Sequence, residues 1–199
     1  EPFSALDQKL RHEMRAEMKR IQRELGMTFV FVTHDQEEAL ALSDRIAVMA
    51  KGRVVQCGRP QALYVAPDSR FVAGFLGEAN FFTGRLRAVA ADRACIEIAD
   101  GQIVSVPLGK SVPGPGEVTL MIRPEHVAIG PRAGTALQAR LVERSFLGTD
   151  HVLTARLDDG TTIRLRTRDA EALGGLAPGD RFPVGIPQHH LRIVAEDRP

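Results

Sequence analysis

The chain has 199 residues, 44% hydrophobic and 26% charged, with 26 basic side chains set against 25 acidic ones. This is enough for one large or two small folded domains, and a net charge of +1 gives no general attraction to nucleic acid or anionic lipid. Cys57 and Cys95 are the only cysteines, too few for a disulfide framework or a thiolate metal site.

Ser4 and Asp7 form a capping-box-like start, and the spacing predicts a helix from Ser4 to about Leu25. Leu6, Leu10, Met14, Ile21 and Leu25 make its apolar stripe. The opposite side carries Lys9, Arg11, Glu13, Arg15, Glu17, Lys19, Arg20, Arg23 and Glu24, which reads as a solvated face. Gly26 suits the position just past a helix end. Met27 to Val32 is apolar at both parities. A half-exposed strand would alternate, so this run is expected as a strand covered on both faces in a parallel α/β sheet. Left without strand neighbours, it would expose apolar surface and free backbone edges. Asp35 and Glu38 form a second capping box, opening a helix to about Leu42.

Arg45–Ala50 and Arg53–Cys57 flank Lys51-Gly52, a two-residue hairpin turn. Pro60 fits the first position of a short helix, and Pro67-Asp68 opens another. That second helix presents Phe71, Val72, Phe75 and Leu76 and stops at Gly77. From Asn80 onward the runs are short, strand-like and separated by turns such as Pro113-Gly114-Pro115-Gly116, Asp158-Asp159-Gly160 and Ala177-Pro178-Gly179. This is the pattern of a small all-β barrel or sandwich. Val152–Arg156 and Thr162–Leu165 form its clearest hairpin, and the strand sets before and after Pro131 suggest a duplication. The boundary between the two parts falls at about Gly77–Asn80, giving domains 1–77 and 78–199.

Four local signatures in this order resemble the importer ATPases of the ATP-binding-cassette (ABC) family that carry a C-terminal regulatory domain. Pro2-Phe3-Ser4-Ala5-Leu6-Asp7 is similar to the D-loop, and Val32-Thr33-His34-Asp35-Gln36-Glu37-Glu38-Ala39 to the switch-histidine loop. Gly52-Arg53-Val54-Val55-Gln56, Gly58 and Pro60 resemble the close of the nucleotide-binding domain. Phe75–Phe82 and Ile122-Arg123-Pro124-Glu125-His126 resemble a transport-associated oligonucleotide/oligosaccharide-binding-like (TOBE) domain. The implied fold is the C-terminal part of an α/β nucleotide-binding domain followed by an all-β OB-like barrel.

The resemblance implies roles for individual residues. Glu1 would polarise the water that attacks the γ-phosphate, and a carboxylate suits that task. His34 would hydrogen-bond the γ-phosphate, since imidazole can donate without carrying a full charge. Ser4, Ala5, Leu6 and Asp7 would contact the partner subunit of a homodimer. ATP and Mg²⁺ are the implied cofactors of the whole protein. Its implied partners are transmembrane permease subunits and, indirectly, an extracytoplasmic substrate-binding protein. The implied location is cytoplasmic, on the inner face of the cell membrane.

Glu78-Ala79-Asn80-Phe81-Phe82 leans toward polyamine, ferric-iron or phosphonate importers, with the spermidine/putrescine type favoured. No Gly-x-x-x-x-Gly-Lys-Ser/Thr loop or Leu-Ser-Gly-Gly-Gln signature occurs in the sequence, and a start at Glu1 suggests truncation of a longer chain. This chain by itself is therefore expected neither to hold ATP tightly nor to hydrolyse it.

A regulatory or dimerisation β-module, binding a small ligand or a partner protein without catalysis, is the alternative. A nucleic-acid barrel is disfavoured, because there is no Trp and the lone Tyr64 lies outside the β-rich part. No metal site is expected: His126 reads as part of a barrel turn stabilised by an arginine–carboxylate contact, and His189-His190 lack further ligands at suitable spacing.

Overall fold

The computed structural model describes residues 8–98, 101–109, 114–130 and 135–196. They form two compact units. One runs through Val65 and includes Phe75–Gly77; the other combines Ala66–Gly74 with Glu78 onward.

In the first unit, α1 spans Gln8–Leu25 and Gly26 follows it at φ 61°, the left-handed conformation that glycine adopts without steric cost. Its contact face differs from the expected stripe. Leu10, Met14 and Leu25 are exposed, while Arg15 is buried and Met18 and Gln22 are half-buried. Next comes α2, Gln36–Leu42, capped by Asp35, whose side chain accepts from the Glu38 N–H. The expected hairpin follows as β1, Ile46–Ala50, and β2, Arg53–Gly58. Its turn residues Lys51 and Gly52 both have positive φ, which matches the right-handed twist of a two-residue hairpin. α3 covers Pro60–Val65 with Pro60 in its first turn.

The parallel strand expected at Met27–Val32 does not form. The segment carries no strand assignment, and Val30 and Val32 are 90% and 78% exposed. An apolar run becomes a covered strand only when neighbours supply ladder bonds and two packing layers. Among the described residues the unit's only ladder is the β1–β2 hairpin.

The second unit is mostly β. Its helix α4, Arg70–Phe75, starts later than Pro67-Asp68, because the Ser69 hydroxyl caps the Val72 N–H. Val72, Ala73 and Leu76 are buried, whereas Phe75 stays partly exposed. Two five-stranded antiparallel sheets follow. The first contains β3 (Asn80–Ala90), β4 (Arg93–Glu97), β5 (Ile103–Pro107) and β6 (Glu117–Ile122). The second contains β8 (Thr135–Phe146), β9 (His151–Leu157), β10 (Thr162–Thr167) and β11 (Arg181–Ile186), with α5 (Ala170–Leu173) between the last two.

The duplication suggested by the sequence is present in the connectivity. In each half a long strand opens a three-strand meander, and the fourth strand returns to the long strand's free side. Both long strands carry a bulge at the same depth, between Leu86 and Ala88 in β3 and between Leu141 and Glu143 in β8. A bulge bends its strand, so one long strand can serve two partners along its length. The halves also exchange an edge. β7 (Ala128–Ile129) leaves the first half to pair with β11, and β12 (Arg192–Val194) leaves the second to pair with β6.

Inward-facing Ile96, Val104, Leu120, Ile122, Leu153, Ile163, Leu165 and Val184 fill one core shared by both sheets. Gly84 belongs to this layer, and a Cβ there would lie 2.5 Å from the Ile96 Cγ2.

Candidate functional site

Glu1, Ser4, Ala5, Leu6 and Asp7 lie outside the described residues. His34 is described, and its surroundings can be built from the chain upward. Thr33, Asp35 and Glu38 close a small polar circuit around it. The Thr33 hydroxyl donates to Glu38 Oε2 at 2.8 Å and accepts from the Asp35 N–H at 3.0 Å. Asp35 Oδ1 accepts from the Glu38 N–H at 3.1 Å. Each member satisfies a group that would otherwise be orphaned at a helix start. His34 sits in the middle of this circuit, and its residue is exposed.

Arg15 does not lie on a solvated face of α1, contrary to what its place in the charged stripe suggests. It is 9% exposed and turned toward α2, with Nη2 3.5 Å from Asp35 Oδ2 and 3.4 Å from Glu38 Oε1. Its Nη1 lies 3.8 Å from Glu37 Oε2. The physical reason is local charge balance. Glu38 is 3% exposed, and a carboxylate cannot stay ionised when buried unless a cation or several donors stand beside it. Three acidic residues within one turn of α2 are the signal in the sequence that a cation must approach; helical periodicity alone does not reveal it. Beside Thr33 runs a groove of about 630 Å³, walled by Phe29, Phe31, Leu42 and Ile46 among others.

The second unit holds two buried polar centres that sequence reasoning missed as such. Arg123 donates through Nη1 to the carbonyls of Ala73 and Glu78, each at 2.9 Å. Asn80 pairs with the backbone of Arg164: Nδ2 donates to its carbonyl at 2.8 Å, and Oδ1 accepts from its N–H at 2.7 Å. Both observations concern architecture rather than chemistry on a ligand.

Histidines meet where the two exchanged strands begin. His126 ends the 3₁₀ turn Pro124–His126, and His190 ends the equivalent turn Gln188–His190. Their rings stack with centroids 3.6 Å apart and planes 3° from parallel, and the His189 ring lies 4.1 Å from that of His190. Among the described residues no His, Cys, Asp or Glu group has metal-binding geometry.

Burial holds both stacked imidazoles below their ordinary range, His190 down to about 4, and the nearby His189 and Arg192 add to the effect. The pair is therefore neutral at pH 7. The unfolded chain protonates these rings near pH 6.5, while the folded chain does so only at lower pH. Stability is expected to fall as pH drops from 7 toward 4 and then level off. Urea titrations at pH 7 and pH 5 check this. The midpoint should drop, and His190→Asn should lessen the drop; a drop of equal size in parent and variant would sink the assignment.

Residues 120–194 match the TOBE domain family model. Along 98% of its length the whole chain is 42% identical to a spermidine/putrescine import ATP-binding protein of Ruegeria pomeroyi, covering 53% of that protein. A Pseudomonas fluorescens protein of the same description is 46% identical over 84% of the chain, which covers 45% of it. The chain thus spans about half the length of the curated relatives it matches. The cytoplasmic molybdate-binding protein ModG superposes on 58% of the chain and 95% of its own length, with a TM-score of 0.50 and 20% identity. That likeness concerns the fold alone. The TOBE match begins in β6 and ends in β12, so it takes in both exchanged strands and the stacked histidines. No helix among the described residues is long and apolar enough to cross a membrane.

Proposed function

We propose that this chain is the C-terminal portion of the ATP-hydrolysing subunit of an ABC importer of the spermidine/putrescine type. In this reading residues 1–77 close the nucleotide-binding domain and residues 78–199 form the OB-like TOBE-type regulatory domain. The observation that carries it is the 42% identity sustained over 98% of the chain to an import ATP-binding protein of that description.

The local chemistry agrees with this reading. Bound ATP and Mg²⁺ would supply the phosphoryl group whose hydrolysis drives transport. His34 stands exposed at the tip of a rigid polar loop, able to donate one hydrogen bond to a phosphate oxygen. The loop itself, rich in Asp35, Glu37 and Glu38, is no phosphate cradle, so the principal grip on the nucleotide belongs to other parts of the protein. Glu1 would orient the attacking water, and Ser4, Ala5, Leu6 and Asp7 would face the second subunit of a homodimer. Permease subunits would bind the dimer at the inner membrane face, with the extracytoplasmic binding protein acting through them. Alone, the chain would be inactive.

The test is ATP turnover by the full-length protein and its His34→Ala variant. Loss of about 10²-fold or more in kcat is expected, in line with removing one preorganised hydrogen-bond donor to developing charge. A variant that turns over like the parent removes His34 from the reaction.

A second role is compatible with the first. Phe146 and Leu147 at the β8–β9 hairpin tip, and Val142 at the bulge of β8, expose large apolar side chains, which favours a contact surface for dimerisation or regulation.

A further inference from the structure

We infer that Arg15 is a positioning residue that fixes the direction in which His34 is presented. The inference rests on the proposed role of His34, and its grounds are geometric. His34 has Thr33 on one side and Asp35 on the other, both held in the polar circuit that closes through Glu38. Arg15 reaches that circuit from α1, placing one guanidinium within 3.5 Å of Asp35 and 3.4 Å of Glu38. Glu38 is the hinge of the arrangement. Its carboxylate accepts from Thr33, its N–H is capped by Asp35, and it is buried against Arg15.

The guanidinium is itself held from water. Its Nε and Nη2 are buried and lack hydrogen bonds, so its attraction to the carboxylates is Coulombic in a shielded setting, where such attraction is strong. Removing it leaves Glu38 as a buried carboxylate without its cation. The carboxylate then turns toward water, which releases Thr33. The His34 backbone, flanked by Thr33 and Asp35, then loses the support that their side chains give it.

The experiment is a double-mutant cycle in the full-length protein, using Arg15→Met, Arg15→Lys and His34→Ala. Arg15→Met keeps the apolar stem and is expected to lower kcat about 10-fold with KM for ATP within about 2-fold. Arg15→Lys should restore part of the loss, because an ammonium supplies charge without the fork. In the His34→Ala background Arg15→Met should cost less than about 2-fold, since the residue it aims is gone. An equal fold-loss in both backgrounds, or no loss in the parent, overturns the inference. If His34→Ala itself turns over normally, the proposed role of His34 fails. The inference is then judged by amide exchange at Glu38 in Arg15→Met. Exchange about 10-fold faster supports the clamp, and unchanged exchange overturns it.

Discussion

Arg123→Ala is expected to lower the stability of the second unit by about 3–5 kcal/mol, the largest stability loss from a single side chain here. Arg123 is 2% exposed, and one of its nitrogens donates to two carbonyls that the chain brings together from separate elements. The Ala73 carbonyl lies in the last turn of α4, where helical carbonyls have no partner further along the helix and attract positive charge. The Glu78 carbonyl lies in the lead-in to β3. Removing the side chain leaves the buried Ala73 carbonyl and the part-buried Glu78 carbonyl without this donor and opens a void between them. With a urea m-value of about 2 kcal/mol/M, the midpoint should fall by about 1.5–2.5 M. A fall below about 0.5 M would mean that water or a neighbouring donor replaces the guanidinium, and the arginine would not be the tie described.

Asn80→Leu is expected to cost about 2–4 kcal/mol, from two backbone groups each left unpaired at about 1–3 kcal/mol less some relaxation. Asn80 is 4% exposed, and its amide offers Arg164 the same donor and acceptor that a neighbouring strand would offer. β10 is an edge of the second sheet, so the amide occupies a ladder position there. The Arg164 N–H reports on it directly. Its hydrogen exchange should accelerate in Asn80→Leu, and continued protection would show that the edge is closed by something else. Asn80→Asp sharpens the point. A carboxylate cannot donate to the Arg164 carbonyl, whereas the protonated acid can, so the folded state raises the pKa of the new group. The variant should then lose stability as pH rises through the carboxyl range, a direction that the parent amide does not share.

These two residues also mark the limit of what could be read in advance. Local signals were legible: the Asp35–Glu38 cap, the Lys51-Gly52 turn, Gly26 past α1 and the Asp158–Gly160 hairpin each depend on a few consecutive residues, and each forms. The β-rich character past Asn80 was legible for the same reason. Asn80 meets Arg164 across 84 positions and Arg123 meets Ala73 across 50, and no local period encodes such pairings. β7 and β12 are two and three residues long, too short to carry an alternation, so their exchange was invisible. Met27–Val32 fails for the opposite reason. Its composition describes the company the segment would keep, and the described residues provide none of it. At the candidate site the Thr33-His34-Asp35 pattern located the loop. Arg15 escaped because a cation in a charged stripe looks solvated until its counter-ions are known.

The traded edges of the two β halves have a kinetic corollary. Neither half completes its own sheet, so neither is a finished folding unit. β12 must find β6 about 70 positions earlier before the first sheet is whole. Loops of that length close slowly, which places this region among slow-maturing β architectures. A nascent chain would leave the outer rim of its first sheet open to foreign strands until β12 arrives.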